Sequence, residues 1–445
     1  MIGKKPIPLL AALLLLTACG LSDTPDGPAE AASEASPNIV FIYADDMRYD
    51  ELAKVDRLRR MAGSGASFRR AYVTNSVCCP SRVTALTGRY SHSHGVLSNS
   101  GGTAPGGYGA YKARNLGAES LGVELKAVGY ATFLGGKFLN AYGSKEPPEG
   151  FDAYFRTGSP AEDPRVGREA ARFFASHREK PVFLTLWVKS PHSPLEASGR
   201  FRGSHSGEEI DPGPAYAEED TSDKPPWVAK SKPPSPEEVD EKGSKRLAML
   251  EGVAAAIARV QREVEERGEA DNTFYVFASD NGYLFGEHNL SGKQLPYEES
   301  IRVPMALTGP GIEARESGEL VTNNDIAPTV LDLAGAEAIG PTDGRSLVPL
   351  LKGENPDWRT AVLSENPGNF ETPSHKMVRT DGYAYVEWGD GFEELYDTRS
   401  DPHQLDNLLH EPTPEAKAKA AELSVRLDAL KGCAGESCRV AENTP

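Results

Sequence analysis

Four stretches of the chain are almost uninterrupted runs of apolar residues, and each stops abruptly in polar groups. Residues 38–44 (Asn-Ile-Val-Phe-Ile-Tyr-Ala) end in Asp45-Asp46, and residues 130–134 end in Gly135-Gly136-Lys137. Residues 181–188 end in Lys189-Ser190-Pro191-His192, and residues 273–278 end in Ser279-Asp280-Asn281. Runs of this length, rich in branched and aromatic side chains, predict strands buried on both faces, as in a parallel sheet. Between them lie segments of helical period: 118–128, 166–178 and 246–267. In the last, Leu247, Leu250, Val253, Ile257, Val260 and Val264 fall three or four apart, and Gly268 ends the run. Strand and helix in alternation predict an α/β fold, a large mostly parallel sheet with helices on both faces. In such sheets ligands bind beyond the carboxyl ends of the strands, so all four polar endings should share one edge.

The texture changes near residue 361. Residues 361–364, 376–379, 383–386 and 394–396 read as short strands, followed by a helix over 415–431. This predicts a catalytic domain over 37–360 and a C-terminal subdomain over 361–445, the latter a small antiparallel sheet with a helix. Residues 196–245 are poor in apolar groups and rich in Pro, Glu, Asp and Ser. They form a long insertion after His192 and are expected to act as a lid or substrate rim.

The three carboxylates Asp45, Asp46 and Asp280 and the amide Asn281 offer only oxygen donors. Gathered on one edge, the carboxylates would repel one another unless a cation lay among them. Hard oxygen ligands favour calcium or magnesium over zinc, and calcium's shell of six to eight oxygens can take in substrate oxygens as well. The alternative for a lone Asp doublet is a solvated turn or a helix cap. The matching Asp280-Asn281 pair after a second buried strand favours the metal.

The chain begins with the layout of an export signal over residues 1–18. Lys4 and Lys5 precede an apolar run from Ile7 to Leu16 that is too short to span a bilayer. Leu16-Thr17-Ala18-Cys19-Gly20 resembles a bacterial lipobox, which predicts a lipid on Cys19 and a membrane-anchored or secreted protein. A plain cleaved signal with an incidental cysteine is the alternative. Residues 19–36 read as a flexible tether. The formal net charge of −17 excludes a general nucleic-acid binder. It also means that a site for an anion must concentrate its own cations, because the whole-molecule field will not steer the ligand in.

Of the five cysteines, Cys433 and Cys438 are expected to form a local disulfide in an oxidising compartment. Cys78 and Cys79 are adjacent and rarely would pair with each other. Pro80 suits the first turn of a helix running to Thr87 and stopping at Gly88, which sets Cys78 beside a helix N-terminus where negative charge is favoured.

Cys78-Cys79-Pro80-Ser81-Arg82, followed by Leu86-Thr87-Gly88, resembles the signature of the type I sulfatases of the alkaline phosphatase superfamily. The resemblance runs over residues 37–410 and takes in Asp45-Asp46, Gly136-Lys137, Pro191-His192, Asp280-Asn281-Gly282, Lys293 and Asp325 to Thr329. The doubled cysteine, Gly136-Lys137-Phe138-Leu139-Asn140, Asp280-Asn281-Gly282-Tyr283 and the terminal cysteine pair are similar to N-acetylglucosamine-6-sulfatases and extracellular heparan sulfatases. The resemblance implies a sulfuric ester hydrolase acting on a sulfated small molecule or glycan, with 6-O-sulfated N-acetylglucosamine favoured. It implies that a formylglycine-generating maturation enzyme oxidises Cys78 to formylglycine. On that resemblance Asp45, Asp46, Asp280, Asn281 and residue 78 would hold calcium, and one hydroxyl of the aldehyde hydrate would attack sulfur and expel the alcohol, leaving sulfate esterified to residue 78. The second hydroxyl then expels sulfate. Arg82 would orient the hydrate, Lys137 and Lys293 would neutralise sulfate oxygens, and His192 would protonate the leaving oxygen. Many members of that family carry a histidine two residues after the first lysine. Here Leu139 stands there, and Asn140 becomes a candidate substrate contact, together with His94 and His288, while Tyr283 and Trp227 are candidate walls of a sugar pocket. Competing readings are a phosphate mono- or diesterase on the same scaffold and a surface lipoprotein that binds sulfated glycans without cleaving them.

Overall fold

The structure, a computed structural model, describes residues 36–101, 104–338, 340–354, 356–369 and 372–444. The export signal, Cys19 and all but the last residue of the tether lie outside the described residues. Among the described residues no helix is long and apolar enough to cross a membrane.

The four apolar runs become the buried strands of one sheet. They are β1 (Asn38–Asp45), β3 (Ala131–Gly136), β5 (Val182–Pro191) and β6 (Thr273–Ser279). The remaining strands of that sheet are β2 (Ala66–Tyr72), β4 (Ala153–Arg156), β9 (Met305–Thr308) and β10 (Arg315–Thr322). The order of the eight is β10-β2-β9-β6-β1-β5-β3-β4. Every neighbouring pair is parallel except the two made by β9. A hairpin of β7 (Leu284–Phe285) and β8 (Ser291–Gly292) follows β6. The antiparallel C-terminal sheet runs in chain order: β11 (Ala361–Asn366), β12 (His375–Thr380), β13 (Tyr383–Trp388) and β14 (Glu393–Asp397), with the helix Pro414–Leu430 after it.

Apolar side chains cover both faces of the large sheet. Ile39, Phe41, Phe183 and Trp187 pack on one side with the helix Cys78–Thr87. Val40, Ile42, Leu184 and Leu186 pack on the other with the helices Asp163–Ser176 and Pro236–Glu266. The small sheet shares a core with the large one, since Tyr72, Val73, Tyr297, Met377, Val386 and Tyr396 lie in one cluster. Both sheets belong to one compact unit starting at Ser36.

The apolar pattern misses β2, β4, β9 and β10; β9 lies buried inside the sheet but is only four residues long, too short to stand out as a run. β4 and β10 are the edges of the sheet, and β2 and β10 carry charged residues on half-exposed positions. An edge strand solvated on one side shows no continuous apolar run. The long helix starts at Pro236, ten positions before the expected start at residue 246, because Ser235 and Glu238 cap its first turn reciprocally. The insertion expected over 196–245 is therefore shorter, and it is tied down. Tyr216 bridges Glu287, Lys224 Nζ donates to the Leu405 carbonyl at 2.6 Å, and Asn407 N donates to Asp223 at 2.6 Å. A strap fixed at these points to both the hairpin and the C-terminal segment is not a free lid.

Register brings the polar endings together. Ala44 lies opposite Ser279, Asp45 opposite Pro191, and Gly136 opposite Trp187. The residues that follow each strand share one edge, at the carboxyl ends of the strands. Gly136 must be glycine to turn there: its φ is 106°, and a Cβ would meet the Trp187 carbonyl oxygen at 1.9 Å.

Candidate active site

The helix Cys78–Thr87 starts at residue 78 and ends at Gly88, whose φ of 68° makes it a left-handed cap. Residues four apart lie on one helix face, so Cys78 and Arg82 point the same way. This accounts for the spacing Cys-x-x-x-Arg in physical terms. The start of the helix is anchored by Asn99, whose Oδ1 accepts from Cys79 N at 2.8 Å.

Cys78 is buried among charges. Its thiol donates to Asp45 Oδ1 at 3.3 Å, lies 4.0 Å from Asp46 Oδ1, and accepts from Lys293 Nζ at 2.8 Å. Lys293 also pairs with Asp46. Lys137 Nζ pairs with Asp45 Oδ2 at 2.5 Å. Arg82 is fully buried, with Nε on Asp280 Oδ2 at 2.8 Å, an Nη on Asp45 at 3.3 Å, and the other Nη on the Lys137 carbonyl at 2.7 Å. Its guanidinium lies over the rings of Trp187 and Tyr43 at 5.3 and 5.7 Å. Asp46 has φ of 71°, and its backbone N donates to Asp280 Oδ1 at 3.1 Å. Asn281 Nδ2 donates to Asp46 Oδ1 at 2.7 Å. His192 is the most open of these groups, its side chain 37% exposed, with Nε2 3.8 Å from Asp46 Oδ2 and Nδ1 donating to the Ser193 carbonyl at 2.6 Å.

These contacts shift the titrating groups. Burial and the neighbouring Asp45 push the Cys78 thiol up to about 12, so at neutral pH it is a protonated thiol. Burial opposes charge on Asp45, yet Lys137 and Arg82 outweigh it and hold Asp45 well below the usual carboxylate range. Burial and Asp45 raise Asp280 despite Arg82. Burial likewise opposes charge on Lys137 and Lys293, and the facing Asp45 and Asp46 overrule it, raising both ammonium groups.

The three carboxylates thus face three side-chain cations, Arg82, Lys137 and Lys293. Repulsion among the carboxylates alone does not demand a metal, contrary to the sequence argument. Two other observations fit one. Ligand atoms of Asp45, Asp46, Cys78 and His192 all lie within 4.8 Å of one another. Asn281 Oδ1 is buried without a hydrogen-bond partner among the described residues, next to that cluster. Hard oxygen donors with an orphaned amide oxygen suit calcium or magnesium. A divalent ion would leave an otherwise balanced site with an excess of positive charge, the local concentration of cations that a −17 chain needs to hold an anion.

The remaining candidates divide. Asn140 lies beside the helix start, its Oδ1 buried and unpartnered among the described residues. Leu139 packs in the core with Phe138 and Tyr142. His94 does not face the cluster: Nε2 meets Thr84 Oγ1 at 3.1 Å, Nδ1 accepts from Val96 N at 3.1 Å, and burial lowers its pKa to about 3. It is a neutral brace under the helix. His288 is buried too, with Nδ1 2.7 Å from Glu218, and joins the strap to the hairpin. Tyr283 lies under Arg246 at 5.0 Å, and Trp227 packs edge-on against Trp388 at 5.5 Å.

Sequence reasoning missed one network that positions Asp46. Arg246 donates to the Asp46 carbonyl at 2.5 Å and pairs with Glu51 at 2.7 Å, while Arg48 pairs with Glu287 at 2.6 Å. The available signal was an arginine adjoining the apolar stripe of the long helix, where only a paired charge can be buried. The cysteine pair Cys433–Cys438 is joined as a disulfide.

Comparison with known proteins gives this site its class. A family model described as Sulfatase matches residues 37–336, and one described as N-sulphoglucosamine sulphohydrolase, C-terminal, matches residues 286–432. The chain belongs to the sulfatase family, a class of sulfuric ester hydrolases. At finer grain, it is similar to N-acetylglucosamine-6-sulfatase of Capra hircus, at 27% identity over 92% of this chain and 86% of that protein. It is also similar to an extracellular sulfatase SULF-1 homolog of Drosophila melanogaster, at 32% identity over 77% of this chain, but it spans only 34% of that protein. A solved chain described in complex with its substrate D-glucosamine-2-N,6-O-disulfate matches with a TM-score of 0.77 at 22% identity, covering 91% of this chain and 98% of its own. A phosphonate monoester hydrolase from Silicibacter pomeroyi matches with a TM-score of 0.70 at 22% identity, over 88% of this chain and 94% of that one. At those identities the structures establish the alkaline phosphatase-like fold alone.

Proposed function

We propose that this protein hydrolyses sulfate esters of amino-sugar glycans, 6-O-sulfated N-acetylglucosamine among them, from a nucleophile made at position 78. The observation that carries the reading is Cys78 Sγ held between Asp45, Asp46 and Lys293 at the start of a buried helix. A thiol pushed up to about 12 is a poor nucleophile at neutral pH. Conversion to formylglycine by a maturation enzyme would supply an oxygen nucleophile instead, through the hydrate. Calcium, held by Asp45, Asp46, Asp280, Asn281 and residue 78, would supply Lewis-acid stabilisation of negative oxygen.

The chain's own side chains do the rest. Arg82 fixes Asp280 and Asp45 and so orients whatever residue 78 carries. Lys293 contacts Cys78 Sγ and pairs with Asp46, Lys137 pairs with Asp45, the carboxylate that accepts from the thiol, and the two ammonium groups bind the non-bridging oxygens of the sulfate. The Nδ1–H of His192 is committed to the Ser193 carbonyl. Nε2 is therefore the atom that delivers a proton to the leaving oxygen, when the ring is cationic. Leu139 takes no part in proton transfer.

The sequence of residues 4–20 supports export with a lipid on Cys19, and the Cys433–Cys438 disulfide fits an oxidising compartment.

The test compares kcat/KM for an aryl sulfate and the matching aryl phosphate. We expect the sulfate to be preferred by at least about 100-fold, roughly 2.7 kcal/mol in transition-state stabilisation. A preference for phosphate overturns the reading. Removing calcium with a chelator should abolish sulfate release and lower the unfolding temperature. Added calcium at about 100 times its Kd should restore both, contributing about 2.7 kcal/mol of stability. Full turnover in chelator would exclude the metal.

A further inference from the structure

A second cleft, of about 460 Å³, opens between the segment leading into residue 78 and the small sheet. That volume is in the range of small-ligand sites. Asn75 lines one wall, Asn366, His375 and Trp388 line the other, and Arg114 is also on its border. Five polar atoms of these walls have no hydrogen-bond partner among the described residues: both amide atoms of Asn75, Nδ2 of Asn366 and both ring nitrogens of His375. All three residues are at most 5% exposed. Leaving one such group unsatisfied costs about 1–3 kcal/mol, so five on one cleft point to a polar occupant.

The lining says what kind. Burial lowers His375 to about 3, so it offers one N–H donor and one acceptor rather than a charge. Trp388 Nε1 is already bonded to Glu394 at 2.6 Å, which leaves its ring as an apolar wall. Donors and acceptors together beside an aromatic ring match the hydroxyl edges and C–H faces of a sugar. The other charged groups on the lining are paired, Glu365 with His92 and Lys376 and Glu387 with Lys431, whereas Arg114 is exposed and has no ion pair among the described residues, so it is the cation left for a ligand at the border.

The cleft adjoins the reaction centre. Asn75 is three residues from Cys78, at most about 11 Å along the chain. Glu365 N donates to the Thr74 carbonyl at 2.8 Å, and Asn369 Nδ2 donates at 3.1 Å to Gln294, the neighbour of Lys293. We propose that this cleft is a subsite for a hydroxyl-bearing sugar ring of a sulfated glycan, bound by Asn75, Asn366 and His375 against Trp388, with Arg114 taking an anionic substituent. The inference rests on the sulfatase reading for its substrate class.

Its test is binding, which needs no turnover. The full chain carrying Cys78→Ala is titrated calorimetrically with a 6-O-sulfated amino-sugar disaccharide, with and without a carboxylate on the second ring. Adding His375→Leu should weaken binding about tenfold, the equivalent of about 1.4 kcal/mol, and should keep or raise the unfolding temperature because an unsatisfied buried group is removed. Arg114→Ala, an exposed change, should weaken only the disaccharide that carries the carboxylate. Unchanged affinity in both variants overturns the subsite. If the wild-type protein fails on aryl sulfates while these variants still lose affinity, the subsite stands and the activity reading falls.

Discussion

Replacing Cys78 with serine will reduce sulfate-ester hydrolysis by at least about 10⁴-fold while the protein still folds. Serine keeps a hydroxyl in place of the thiol, so a mechanism needing one simple nucleophile would retain some activity. In the proposed mechanism a formyl hydrate carries two hydroxyls on one carbon, and the second would release the bound sulfate. Serine cannot supply it. Cys78 is buried but makes its contacts through one atom, to Asp45, Asp46 and Lys293. An oxygen can take the same partners, so the stability change should stay near about 1 kcal/mol. Steady-state kinetics on an aryl sulfate together with thermal unfolding checks both halves. A serine variant with a substantial fraction of wild-type turnover would show that the thiol's conversion is not required.

Arg82→Leu should be the most damaging change for the fold of the site. Its guanidinium is the shared cation of Asp280 and Asp45, it holds the Lys137 carbonyl, and it lies against the rings of Trp187 and Tyr43. Leucine would fill part of the volume and leave two buried carboxylates short of a partner. Breaking a buried pair on one side costs about 3–5 kcal/mol. Burial and Asp45 already raise Asp280, and without Arg82 it would take up a proton more readily still. Urea denaturation should show the loss, and turnover should fall by at least about 100-fold. A variant within about 1 kcal/mol of wild type would mean that the Arg82 pairs are incidental.

Much of this site can be read in the sequence because its parts are strand endings. A strand buried on both faces announces itself by composition, and register in a parallel sheet then carries Asp45, Asp280, Lys137 and His192 to one edge. The Cys78 to Arg82 spacing is local and helical, so it is legible as well. What escaped depends on partners far apart in the chain. Arg246 reaches Asp46 across 200 positions and Glu51 across 195, and nothing in the local pattern of either segment names the other. The strands β4 and β10 escaped because edge positions carry mixed burial. His94 and His288 looked like site residues from their neighbours in sequence. Burial turns both inward, one against Thr84 and the other against Glu218. Carboxylate repulsion does not by itself require a cation here for a different reason: Lys137, Lys293 and Arg82 arrive on the same edge as the acids and balance them.

The most direct test is the mass of the tryptic peptide Ala71–Arg82, taken from protein made alongside a maturation enzyme and compared with sulfate release from the same preparation. Specific activity should rise in proportion to the fraction of residue 78 present as the aldehyde, and preparations holding only thiol there should be inactive. Full turnover from a preparation in which residue 78 is entirely cysteine would contradict the account.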